Sequence, residues 1–284
     1  MQMDWGDEMK IHYLGTGAAE GIPAIFCECA VCKNARERAG KEIRTRMQVL
    51  IDDEVLIDFG PDTYMHSLQY GIDLSLIKHC LITHAHEDHV YPHDIRCRKK
   101  NRALLECNTH PLRIYGSKGV EELLKPMENG YVTKEGNVVF SRVVPFQKIE
   151  IGKYQIIALP AIHKTTEPLV FAIKKNEKAM LYCHDSDVLD EKTFQYLADQ
   201  RFVFDLVSMD CTEGNKHIDY RGHMNFERNR IMRDMLHNYG LSKNNTIFVL
   251  GHISHNGLVS HREAEEIMAS DSFAVAYDGL VINF

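Results

Sequence analysis

The chain has 284 residues, 44% of them hydrophobic and 26% charged, enough to bury one large core or two modest ones. Its formal charge of -7 argues against a protein that coats long nucleic acid. No window approaches the roughly 20 apolar residues of a membrane span, and the acidic start MQMDWGDEMK lacks the apolar stretch of a secretory leader, so a cytoplasmic protein is expected. Three of the eight cysteines cluster in CECAVC and five are scattered singly, which suits a reducing compartment better than a disulfide framework.

In chain order, KIHYLG (10–15) predicts the first strand, followed by a long loop whose CECAVC runs into the helical spacing of AVCKNARERAG. RMQVLID (46–52) and EVLIDFG (54–60) predict strands, PDTYMHSLQYG a helix, and KHCLITH (78–84) a strand that delivers the chain into HAHEDH. The basic run RCRKKNR, Arg96 to Arg102, reads either as a solvated helix face or as an attractor for an anionic substrate. LRIYG (112–116), helical GVEELLKPM and VVFSRVV (138–144) follow. The second half predicts strands at KYQIIALPAIH (153–163), PLVFAIK (168–174), AMLYCHD (179–185), DLVSMDC (205–211) and TIFVLGH (246–252), with a closing pair around FAVAYDGLVINF. Helical spacing marks DEKTFQYLADQ, NFERNRIMRDMLHNYG and SHREAEEIMA.

No linker, repeat or low-complexity tract divides the sequence, so one domain over 1–284 is expected. Strands come in groups with helices between the groups. This pattern predicts two packed sheets with helices on the outer faces rather than a strictly alternating doubly wound sheet.

Four predicted strands end in side chains that can bind metal: His84, His163, Asp185 and His252. Rigid strands that deliver such groups to one edge leave the loops free to admit a substrate. In HAHEDH, His84 and His86 share the alternation of an extended segment, while Asp88 and His89 begin the next turn. Imidazole and carboxylate together select ions such as Zn, Mn or Fe. One ion at each pair would need further donors, which His163 and His252 can provide, with Asp185 bridging. Asp187, Asp210 and His184 compete with Asp185, which is preferred because it directly ends an apolar strand. Two ions about 3.5 to 4 Å apart hydrolyse without a side-chain nucleophile.

Cys27, Cys29 and Cys32 form C-x-C-x-x-C, three-quarters of a structural zinc site in a loop at about 15–40. His255, three residues beyond His252, is the candidate fourth ligand. A redox pair of Cys29 and Cys32 at a helix N-terminus is the competing reading.

With LGTGAAEGIPAIFCECAVC, LITHAHEDH, LPAIH, YCHDSD, MDCT, RGHMNF and GHISH in view, the chain resembles the metallo-β-lactamase-fold hydrolases over nearly its whole length, and within them the PhnP-like phosphodiesterases. The resemblance implies an α/β, four-layer αββα sandwich with a dinuclear site at the edge of the two sheets. It assigns His84, His86 and His163 to one ion, Asp88, His89 and His252 to the other, and Asp185 to both. It also implies two divalent catalytic metals (Mn or Zn, with Fe admitted) and one structural Zn on the three cysteines and His255. Asp88 and His223 are implied as catalytic, His223 protonating the leaving group from a Gly-containing loop before a helix. The expected substrate is a small phosphodiester, cyclic ones included, and a homodimer is admitted. One departure is DHVYPHDIR, where relatives commonly continue with small residues and Gly; Tyr91, Pro92 and His93 stand there at the expected rim.

Three other classes share parts of this pattern. They are a tRNA-processing endoribonuclease, an oxygen-handling di-iron or persulfide-oxidising enzyme, and a non-catalytic metal-binding protein of cofactor biosynthesis. The complete set of seven donors favours a hydrolase.

Overall fold

The computed structural model describes residues 8–99, 102–105, 110–128 and 137–284. Two seven-stranded sheets face each other. The first has the order β14-β1-β2-β3-β4-β5-β6, built from β1 (Lys10–Gly15), β2 (Gln48–Ile51), β3 (Val55–Ile57), β4 (His79–Leu81), β5 (Leu112–Gly116), β6 (Val138–Arg142) and β14 (Val281–Asn283). The second has the order β13-β12-β11-β10-β9-β8-β7. It is built from β7 (Lys148–Ile151), β8 (Tyr154–Pro160), β9 (Leu169–Lys175), β10 (Lys178–Cys183), β11 (Phe204–Asp210), β12 (Ser242–Gly251) and β13 (Phe273–Val275). Each sheet is antiparallel through its first strands and parallel beyond β3 or β10. Parallel neighbours require crossovers, and the helices supply them.

Side-chain alternation explains why the strands read as continuous apolar runs. Along β9, Leu169, Phe171 and Ile173 enter the core between the sheets, while Val170 and Ala172 enter the core beneath the outer helices. Both faces are dry, so the period-2 signal vanishes from the sequence. The inner core also takes Tyr13, Ile57, Leu81, Tyr182, Leu206 and Val249. Outside the second sheet lie α1 (Ala30–Arg38), α5 (Glu191–Asp199), α6 (Phe226–Asn238) and α7 (His261–Met268), which bury Ala35, Phe194, Met232 and Ala264 against it. Outside the first sheet lie α2 (Thr63–Tyr70), the short α3 (Pro92–Ile95) and α4 (Lys118–Glu128), where Tyr70, Ile95, Val120 and Leu124 pack. The layers are therefore αββα, as the resemblance implies. No helix among the described residues is long and apolar enough to cross a membrane.

Three differences from the sequence reading have physical causes. β7 was not predicted, because KIEI is a charged edge strand whose Lys148 and Glu150 stay exposed, and its pairing with β8 is what makes it a strand. The run at Arg96 to Arg102 is a single 3-10 turn over Arg96–Arg98 rather than a helix face, and Lys100 and Asn101 lie outside the described residues. There Arg98 donates to the carbonyls of His110 and Asn137, which ties down backbone. Finally, β4, β8, β10 and β12 stop one to three residues short of His84, His163, Asp185 and His252. The metal-capable side chains thus stand just past the sheet edge, in loops that the sheets anchor.

Gly60 fits the loop after β3 against the loop carrying Asp88 and His89. A Cβ placed on it would lie 2.0 Å from the Asp88 carbonyl oxygen, far inside van der Waals contact. Gly60→Ala is expected to lower stability by about 1–3 kcal/mol and to weaken metal retention. Thermal melts and metal analysis of the variant check this; a variant with native melting and metal content would refute the tight contact.

Candidate metal centre

The chain leaves β4 through Ile82 and Thr83 and turns tightly at His86, with the N–H groups of His89 and Val90 donating to the His86 carbonyl. The turn follows His86, and His84 and His86 place their donor atoms in one group. His84 Nε2 lies 2.9 Å from His86 Nδ1, and His163 Nε2 lies 3.3 Å from the same nitrogen. Beside them, His89 Nε2 stands 3.0 Å from Asp88 Oδ2 and 2.7 Å from Asp185 Oδ2, and His252 Nε2 stands 2.8 Å from Asp185 Oδ2. The donor atoms of His84, His86 and His163 form one group and those of Asp88, His89, Asp185 and His252 a second, each within 4.8 Å of one another.

Asp185 joins the groups. Its Oδ2 faces His89 and His252, and its Oδ1 faces His163 Nε2 at 3.6 Å. Buried polar atoms are nearly always hydrogen-bonded, yet His89 Nε2, His252 Nε2 and Asp185 Oδ2 have no hydrogen-bond partner despite these short separations. Short approaches without a hydrogen bond are what donors gathered around one ion would give. Separations of about 2.9–3.3 Å are those between neighbouring ligands roughly 2.0–2.1 Å from one ion, so the residues present fit divalent metal.

Backbone geometry helps aim them. Asp185 and His252 adopt φ of 49° and 54°, and Asp58 adopts 66°, left-handed values uncommon outside glycine. Such conformations persist only where the surroundings enforce them.

The partners behind these donors fix the rings. Asp58 Oδ2 takes His89 Nδ1 at 2.8 Å, while Asp58 Oδ1 accepts from the Thr83 N–H and hydroxyl at 2.8 and 2.9 Å. Thr83 Oγ1 also meets His84 Nδ1 at 3.0 Å. Thr212 Oγ1 meets His252 Nδ1 at 2.8 Å, and His163 Nδ1 meets the Gly222 carbonyl at 3.2 Å. In these four rings the nitrogen facing away from the donor group is engaged, which leaves the other free to ligate.

Electrostatics point the same way. Burial holds the pKa of His84 well below its ordinary value and lowers that of His163, so both imidazoles are neutral donors. Burial also works against charge on His89 and His252, but the carboxylates around them outweigh it and raise both. That is the signature of an anionic pocket, and a divalent ion would satisfy the same field while leaving the rings neutral.

Asp210 and His184 have partners of their own, although Asp210 also falls within one donor group with Asp185, His223 and His252. Asp210, fully buried, accepts from the N–H groups of Asp185, Thr212 and Met224 and stands behind His252. His184 turns away to Ser208 Oγ at 2.7 Å. His223 reaches the site from the loop before α6, its Nδ1 3.3 Å from Asp210 Oδ2 and 3.7 Å from Asp185 Oδ1. Burial disfavours its charged form, but Asp210 outweighs that and raises its pKa. Tyr91 and His93 pair their rings at 5.1 Å beside α3. Asp58, Thr83 and Thr212 escaped sequence reading, although an acid inside the apolar EVLIDFG was a usable signal.

The second cluster is also assembled. Cys27 and Cys29 Sγ lie 3.4 and 3.5 Å from His255 Nδ1, matching the edge of about 3.5 Å that a tetrahedral zinc gives between sulfur and nitrogen. Cys32 completes the set. Glu20 Oε1 faces His255 Nε2 at 3.3 Å, holding Nδ1 toward the sulfurs. Burial opposes ionisation of Cys29, but the Cys32 N–H and the His255 ring lower its pKa to about 6, whereas burial pushes Cys32 up to about 12.

Because Asp58 orients His89, Asp58→Asn is expected to lower metal affinity 10- to 100-fold with the fold retained. Metal titration followed by calorimetry checks this; unchanged affinity would show that the His89 orientation does not depend on Asp58.

Comparison with known proteins adds the family. Residues 53–239 match the family described as Beta-lactamase superfamily domain. An octanoyltransferase of Porphyromonas gingivalis is 37% identical over 84 residues, covering 29% of this chain and 16% of that protein. A ribonuclease Z of Picosynechococcus is 28% identical over 171 residues, covering 60% of this chain and 48% of that protein. The chain thus spans less than half the length of either curated relative. A solved diphosphatase of the PhnP family superposes with a TM-score of 0.76 at 23% identity, covering 98% of this chain and 97% of the other, a likeness of fold. With more than half of its length matched and the αββα layers and donor groups in place, the chain belongs to the β-lactamase superfamily.

Proposed function

We propose that this protein is a metal-dependent hydrolase of a small phosphodiester, cyclic phosphates included, and that residues 1–284 act as one cytoplasmic domain. The observation that carries the reading is the split carboxylate of Asp185, with one oxygen toward His163 and the other toward His89 and His252. Two divalent ions, Mn or Zn with Fe admitted, would supply a water nucleophile at neutral pH and neutralise charge on the phosphoryl oxygens. His84, His86 and His163 would hold one, Asp88, His89 and His252 the other. Asp88, whose Oδ2 lies 3.0 Å from His89 Nε2, would also serve as a catalytic group at the site. His223, polarised by Asp210 at 3.3 Å, would keep a proton and give it to the departing alkoxide. Cys27, Cys29, Cys32 and His255 would hold a structural zinc that pins the N-terminal loop to the segment after β12.

The likeness to a ribonuclease Z supports a second reading, cleavage of precursor tRNA. The formal charge of -7 weighs against a long polyanion. Turnover of small diesters and cyclic phosphates by Mn- and Zn-loaded protein, with precursor tRNA in parallel, separates the two. Cleavage of precursor tRNA alone would replace the first reading.

Elemental analysis of protein purified without chelator is expected to give two exchangeable ions and one tightly held zinc per chain. One ion at most after reconstitution would sink the dinuclear reading. Cys27→Ser is expected to destabilise the fold through lost zinc, whereas Asp185→Asn chiefly removes activity.

His223→Ala is expected to retain much of the activity on an activated aryl diester, whose leaving group needs no proton. On an alkyl or cyclic sugar phosphate it should lose on the order of 10²-fold or more. Equal losses would assign His223 to phosphate binding or metal positioning instead, as read from kcat/KM on a leaving-group series.

A further inference from the structure

His223 sits on the loop 211–225, which contains no regular element, and a proton donor on such a loop must be held in place by something else. The chain supplies a partly buried ion pair for this. Arg228, on the first turns of α6, sends one guanidinium nitrogen, Nη1, to three acceptors: Asp187 Oδ2 at 2.6 Å, the Tyr220 carbonyl at 2.6 Å and the His223 carbonyl at 3.3 Å. The side chain of Asp187 is 3% exposed and that of Arg228 19%. The carbonyl of the proposed acid and that of the residue opening its turn therefore hang on one cation.

Asp187 belongs to the segment just past Asp185. Its N–H donates to the Ile162 carbonyl at 3.2 Å, its Oδ1 accepts from the Val188 N–H at 2.7 Å, and neighbouring Ser186 Oγ accepts from the Ile162 N–H at 2.9 Å. Residues 186 and 187 thus bind the segment of His163 to that of Asp185, and the ion pair adds the segment of His223. Arg221 contributes an outer contact, its Nε 3.4 Å from Asp187 Oδ2, but its side chain is 56% exposed and largely solvated.

We infer that Arg228 and Asp187 are positioning residues that hold His223 over the leaving-group side of the site, so that this pair sets the efficiency of proton donation. This rests on the proposed role of His223. A preorganised donor acts on the transition state, and a misplacement near 1 Å can cost about 10²-fold. The pair would then govern poor leaving groups and leave good ones alone. A general stabiliser would affect both alike.

The test uses full-length, metal-loaded protein and five variants: Arg228→Met, Arg228→Lys, His223→Ala, the double variant His223→Ala/Arg228→Met and the charge-neutral double variant Asp187→Asn/Arg228→Met. The charge-neutral variant guards against misfolding caused by an orphaned Asp187 charge. Expected is a selective fall in kcat/KM for an alkyl phosphodiester, about 10-fold or more, in Arg228→Met and in the charge-neutral variant, with the aryl diester little changed. Arg228→Lys should recover part of the loss, since an ammonium supplies the donors from a shorter stem. Arg228→Met should add little in a His223→Ala background, because both act through one proton. Independently of turnover, diethyl pyrocarbonate should label His223 faster in Arg228→Met than in the unmodified protein, as read by mass spectrometry.

Unchanged labelling of His223 would overturn the clamp, and so, where His223→Ala shows the leaving-group dependence of an acid, would equal losses on both substrates in Arg228→Met or additivity with His223→Ala. If His223→Ala shows no leaving-group dependence while Arg228→Met speeds labelling, the acid role fails and the clamp on the loop stands. If His223→Ala behaves as an acid variant and Arg228→Met matches the unmodified protein, the clamp alone fails.

Discussion

Everything at this centre depends on one carboxylate. Asp185 is buried, twisted to φ 49°, and divides its two oxygens between separate groups of imidazoles. A buried carboxylate with four rings around it and an oxygen lacking a hydrogen-bond partner is an unfavourable arrangement without compensating positive charge. The surrounding architecture makes that arrangement the only one available. Asp210 takes the N–H of Asp185, Asp58 and Thr212 hold the far sides of His89 and His252, and β10 between β9 and β11 fixes where the chain emerges.

The two sheets make such convergence possible through their mixed polarity. The donor-bearing segments leave β4 and β12 within parallel runs, β8 within an antiparallel one, and β10 where the antiparallel run turns parallel. Segments distant in sequence therefore reach one edge from rigid supports, and dry packing on both faces of strands such as β9 limits the drift of those supports. The same edge carries the cysteine cluster, because His255 follows His252 by three residues. Two chemically different donor sets thus stand on one short segment.

Much of this was readable from the amino acids. HAHEDH and C-x-C-x-x-C are local patterns whose spacing encodes chemistry, and the strand-terminal positions of His163, Asp185 and His252 follow from apolar runs that end abruptly. What escaped was non-local. Asp58 looks like an isolated acid until β3 and β4 pair and bring Thr83 and His89 to it. β7 exists because β8 offers an edge, and left-handed φ at Asp185 and His252 leaves no mark in residue type. Arg228 and Asp187 are 41 positions apart and resemble ordinary surface charges until the loops close.

The spread of the donors along the chain also bears on the order of events during folding. His84 and His252 are separated by most of both sheets, so the centre cannot exist before β12 has docked beside β11. Closing so long a stretch of chain carries a loop entropy that local helices and hairpins avoid, which makes docking a late step. Any ion these donors take up would be held later still, because only the finished sandwich brings them together.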